Sequence, residues 1–160
     1  MIEQICLNKD LIESAKEVFE TMVFMDMEEI EDPQSKVEGE ALLGLITFTG
    51  DLQGCLGICC SIACARAIAM NMLGIDSPND LSKEDTCDAM GEIANMVMGS
   101  LKTRLLEHFG NLEVSIPSTV TGKELNNNLG ENAQKILIKC NIEDEYVTEF
   151  MLLYRENPSK

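Results

Sequence analysis

A chain of 160 residues, 45% hydrophobic and 25% charged, fits one soluble globular domain that buries about two thirds of its unfolded surface. Twenty-eight acidic against twelve basic side chains give a net charge of −16, with no Trp and two Tyr, which excludes nucleic acid and anionic membranes and favours a partly basic protein surface as partner. With no charged-then-apolar leader, no apolar run of spanning length and an odd seven Cys, the expectation is a reduced, cytoplasmic setting without a disulfide framework.

Asn8 or Asp10 is placed to start a first helix, in which Leu11, Ala15, Val18, Phe19, Met22 and Val23 recur at helical spacing. The pattern fades near Met25 into an acidic, solvated loop over residues 26–40, with room for a short strand. Ala41 to Thr49 and Cys55 to Ile62 are apolar, β-rich runs, and the glycines bracketing residues 50–54 predict a hairpin between them. Near-continuous apolarity makes at least one of the two a central strand. Cys55, Cys59, Cys60 and Cys64 crowd this segment, but without a C-x-x-C pair and with His108 as the single His a zinc centre lacks its ligands.

Ala63 to Leu73 reads as a second helix, closed by Gly74 as its C-terminal cap. Asp76 to Asp80 connects it to a long helix that Ser82 caps, with Asp85 three residues on as a near-match to a capping box. That helix runs to Phe109 and stops before Gly110. The last third is β, with strands at Leu112–Thr121, Gln134–Ile142 and Glu145–Tyr154, the first two joined by a polar loop containing Asn126 and Gly130. Pro117 cannot donate to a ladder, so its strand is an edge, bulged or broken there. Helices and hairpins in blocks predict an α+β fold, with long helices packed on a mostly antiparallel sheet in one domain over 1–160.

The long helix carries the candidate chemistry. At roughly 100° per residue, Asp88, Glu92, Asn95 and Gly99 share a narrow arc. Met90, Ala94, Val97 and Leu101 form the core stripe on the other side. Gly91 and Gly99 flank the polar face with bare backbone, which lets another surface come close. A merely solvated face is the ordinary source of such a pattern. No phosphate-binding glycine loop and no nucleophile elbow occurs, and His108 sits at a helix end, so any chemistry must work without them.

Asp88, Glu92, Asn95 and the downstream Pro117 resemble the active-site pattern of the CheC/CheX/FliY family of chemotaxis phosphatases. That pattern is an Asp or Ser, a Glu four residues on, an Asn three later, and a distant Pro. The flanking Ile46 to Gly50, Gly54 and Met72 to Gly74 are similar to CheX, and the likeness runs from the first helix to the last strand. CheC-type members carry two such helices. Here the first helix offers Asp10, Glu13, Glu17 and Glu20 but no matching Asn, which implies one site per chain and CheX rather than CheC.

The resemblance implies a CheC-like fold, a homodimer through sheet edges, and hydrolysis of the phospho-aspartate of a CheY-like response regulator. It implies no cofactor of the chain's own: the regulator holds Mg2+ and presents a Lys. Asn95 would hold the in-line water, since an amide accepts from and donates to one water without ionising. Glu92 would meet the Lys in a charge-assisted bond. Asp88 would orient Glu92's surroundings or meet the partner's rim, Gly91 and Gly99 would let the partner's surface come close, and Pro117 would shape the strand beside the helix. Lys102 and Arg104 would offset repulsion from the regulator's acidic pocket. The alternative is a non-catalytic interaction or scaffold module, against which the retained Glu92 and Asn95 argue.

Overall fold

The computed structural model describes residues 4–32, 34–122 and 133–157. Helix α1 spans Gln4–Val18, starting ahead of the Asn8 and Asp10 signals, which lie inside it. Leu7 is fully buried, and that packing extends the helix beyond its local start signals. A π-helical turn, Phe19–Val23, follows and is closed by Phe24 at φ 61, whose N–H donates to the Phe19 carbonyl at 2.7 Å. The wider turn shifts the register, so Phe19 and Val23 are buried while Met22, counted in the apolar stripe, is exposed.

Strand β1 (Met27–Ile30) is the short strand within the acidic segment. Strands β2 (Ala41–Thr49) and β3 (Leu52–Ser61) form the expected hairpin, but its turn is tighter than the five residues read between the glycines, and β3 starts at Leu52. The turn shortens because Gly54 belongs to the ladder, where it faces β7: a Cβ on it would run into the Leu153 carbonyl. Helix α2 spans Ile62–Leu73, with Ser61 accepting from the Cys64 N–H and Gly74 closing it at φ 66. Helix α3 spans Lys83–Phe109, as read.

Beyond it come β4 (Glu113–Val114), β5 (Ser118–Gly122), β6 (Gln134–Ile142) and β7 (Tyr146–Glu156). The loop containing Asn126 and Gly130 lies outside the described residues. The sheet runs β1-β6-β7-β3-β2, with β4 and β5 both on the far side of β2, and every pairing is antiparallel. The architecture is α+β. Even-numbered residues of the central strands, among them Ile46, Leu56, Ile138 and Phe150, point into one core under the helices, as the two-residue strand period requires. Helices α1 and α3 pack on each other, α3 lying over β2, β3 and β5 and α1 reaching β6. No helix among the described residues is long and apolar enough to cross a membrane.

Candidate functional site

Helix α3 is fixed at its start and along its underside. The Asp85 N–H donates to Ser82 Oγ at 2.9 Å, and the Ser82 N–H donates back to Asp85 Oδ2 at 3.1 Å, a complete capping box. Under its middle lies Gly44 of β2. A Cβ there would sit 3.1 Å from the Met90 carbonyl oxygen and 3.6 Å from Ala94 Cβ, so the absent side chain lets the helix backbone settle onto the strand. Met90, Ile93, Ala94, Val97 and Leu101 are fully buried on this underside.

The opposite side therefore faces solvent. Asp88, Glu92, Asn95 and Gly99 are all exposed, and they lie together along the helix. Among the described residues, no side-chain hydrogen bond or ion pair engages Glu92 or Asn95, which leaves both side chains available to a partner. A Cβ on Gly99 would meet open space, so close approach there is unobstructed.

Gly91 corrects the reading. It is buried, not presented: a Cβ on it would touch Pro117 Cβ and Cγ at 3.7 Å and Thr119 Cγ2 at 3.9 Å. The sheet edge covers it. At roughly 100° per residue, Gly91 stands between the core stripe and the polar arc, so Pro117 borders that arc. The helix pattern and the distant Pro thus meet in space.

Pro117 sits in a bulge. Phe48 pairs with Val114 and Leu45 with Ser118, so two residues, Ile46 and Thr47, stand opposite three, Ser115, Ile116 and Pro117. The bulge is tied to β2: the Ser115 N–H donates to the Thr47 carbonyl at 2.9 Å, and the Thr47 N–H donates to Ser115 Oγ at 3.0 Å. Ser115 Oγ in turn donates to the Ile116 carbonyl at 3.1 Å. Ile116 itself is 89% exposed. In the sequence Ile116 carries one signal, its place before a Pro, which holds a residue extended.

Arg104 is a second correction, because its charge is spent on α1 rather than offered beside the polar face. It lies 3.8 Å from Glu13 and 3.4 Å from Glu17, and it donates to Ser14 and Ser100. Ser100 also donates to Glu17 at 2.8 Å, and with Arg104 it holds that carboxyl below the ordinary value. Two of the α1 acids without a matching Asn thus have a structural partner. Lys102 stays on the polar arc, half-buried.

Cys59 and Cys60 on β3, Cys64 on α2 and Cys140 on β6 lie outside α3 and this face. Burial raises Cys59 to about 11 and Cys140 to about 12, and in both cases a nearby carboxylate adds to the rise. Cys60 and Cys64 are buried together, with Cys64 Sγ 3.6 Å from Thr148 Oγ1. Among the described residues no three His, Cys, Asp or Glu side chains are grouped to hold a metal ion.

The family model described as chemotaxis phosphatase CheX matches residues 42–141. Three solved structures are similar over nearly the whole chain. Chemotaxis protein CheX from Vibrio vulnificus is 25% identical, with 93% of this chain and 96% of that one covered and a TM-score of 0.74. The CheX of the CheX-CheY-BeF3-Mg+2 complex from Borrelia burgdorferi is 17% identical, covering 98% and 100%, at 0.71. FliY from Thermotoga maritima is 18% identical, covering 96% and 91%, at 0.65. No curated protein matches the chain.

Proposed function

The chain belongs to the chemotaxis phosphatase CheX family, and we propose on that footing that it removes the phosphoryl group from the phospho-aspartate of a CheY-like response regulator. The observation that carries this reading is Glu92 and Asn95, exposed and unengaged, on the solvent side of a capped and buried helix. The Borrelia relative, described in complex with CheY, BeF3 and Mg+2, supports a response regulator as partner and the regulator as the holder of Mg2+.

Two side chains three apart on a helix stand about 5–6 Å apart, a span suited to adjacent groups in one pocket. Glu92 pairs with a regulator Lys and so sets the register of docking. Asn95 accepts from and donates to one water, holding its oxygen in line with the phosphorus. That oxygen bonds to phosphorus as the bond to the aspartyl oxygen breaks; the carboxylate leaves with the electron pair, and the water's protons pass to phosphate and solvent. Mg2+, if held by the regulator, would supply charge neutralisation at the phosphoryl oxygens. Nothing covalent forms on this chain, and its contribution is position and charge. Asp88 meets the partner's rim, and Gly99 lets the partner's surface lie close to the helix.

A homodimer and a cytoplasmic setting belong to the same reading. Strand β1 is the sheet edge without a bulge or Pro, and it supports edge-to-edge pairing of two copies.

The test is the decay of purified phospho-regulators, followed with wild type, Glu92→Gln and Asn95→Ala. Wild type should shorten the lifetime and Asn95→Ala should bind with little acceleration. If wild type leaves the decay of several regulators unchanged, the enzymatic reading is wrong and a scaffold role takes its place.

A further inference from the structure

We propose that Ile116 is an apolar anchor that seats the phosphorylated regulator beside the Glu92–Asn95 pair. This rests on the phosphatase reading and adds to it a residue outside the helix pattern. A water-facing Ile is unremarkable on a mobile loop, where it can fold back. Ile116 is not so placed. Ser115 is bonded twice to Thr47 and once to the Ile116 carbonyl, and Pro117 is fixed in φ and lodged against Gly91. The bulge between them holds the Ile116 side chain off the sheet edge at 89% exposure. A rigid apolar side chain of this kind loses little entropy on contact, which is what a binding anchor requires.

Two observations select the occupant. The bulge and Pro117 interrupt the β4–β5 edge, and both features disfavour addition of a strand from a second copy there. The net charge of −16 repels an acidic regulator, so attraction must come from short-range contact. Ile116 supplies that contact at the border of the polar arc, next to the Pro that covers Gly91. Among the exposed large hydrophobics, Ile116 at 89% and Val120 at 47% stand on this edge, and Ile116 is the more exposed of the two.

The experiment measures KM and kcat for phospho-regulator turnover with wild type, Ile116→Ser, Ile116→Leu and Asn95→Ala, with the mass of each by sedimentation equilibrium. Full burial of an Ile side chain corresponds to roughly ten- to a hundredfold in affinity. Ile116→Ser should raise KM by about that factor, Ile116→Leu should restore it, and Asn95→Ala should instead lower kcat. A wild-type KM in Ile116→Ser, or a fall confined to kcat, overturns the anchor while leaving the phosphatase reading intact. Loss of dimer mass in Ile116→Ser puts a second copy on the bulge and also overturns it. No acceleration by wild type overturns the phosphatase reading, and the anchor falls with it.

Discussion

Under the proposed function, Asn95 and Glu92 would divide their work by charge. An amide that places a water acts only while the phosphorus is being attacked, so Asn95→Ala should lower kcat on the order of a hundredfold, with KM little changed. Glu92→Gln keeps the shape and removes a charge-assisted bond worth about 1.5–3 kcal/mol, so it should raise KM instead, roughly ten- to a hundredfold. Steady-state kinetics with one regulator read both effects. The thiols give a separate check on burial. With Cys59 raised to about 11 and Cys140 to about 12, both are protonated at pH 8 and poor nucleophiles. Iodoacetamide at pH 8 should therefore modify exposed Cys6 first and leave Cys59 and Cys140 intact until the protein unfolds, as peptide mapping would show. Asp88, Glu92, Asn95 and Gly99 were legible as one exposed face because helical period is a local property. Gly91, Arg104 and Ile116 were not, because what covers, pairs or exposes them comes from elsewhere in the chain.

The same division holds for whole elements. The capping box at Ser82, the Gly74 cap and the interruption at Pro117 were readable, since each is fixed by a few neighbouring residues. The early start of α1, the π turn at Phe19–Val23 and the tight β2–β3 turn were not. Each depends on packing against a distant segment: Phe19 meets Phe150 edge to face at a centroid distance of 6.1 Å. Gly44 is the clearest case. In sequence it is one small residue inside an apolar strand, yet it sets how closely α3 approaches the sheet. Gly44→Ala should press a methyl onto the Met90 carbonyl and cost about 1–3 kcal/mol. Thermal melts should show a fall of several degrees, and an unchanged midpoint would mean that α3 can lift without loss.

Across the whole molecule, twenty-eight acidic against twelve basic side chains leave a net charge of −16, which under the proposed function would repel an acidic partner. Arg104, tied to Glu13 and Glu17, does not relieve that repulsion. Added salt shortens the Debye length from about 10 Å at 0.1 M to about 3 Å at 1 M, which weakens long-range repulsion more than a close Glu–Lys contact. The prediction is that kcat/KM rises with ionic strength, and a steady fall would show local attraction dominating the encounter. The α+β architecture, the antiparallel pairing and the single long helix were all legible from periodicity and punctuation. The order of the strands, which puts β5 and its bulge beside α3, was not.

One helix has two faces: its inner stripe closes the core, and its outer stripe, exposed to solvent, is the one assigned to the partner in the proposed function. Fraying begins at helix ends, whereas Glu92 and Asn95 ride the interior of a span of 27 residues. Loosening them would mean melting the domain itself. Under the proposed function, whatever accommodation docking demands would then fall on the regulator, which would come to a fixed template.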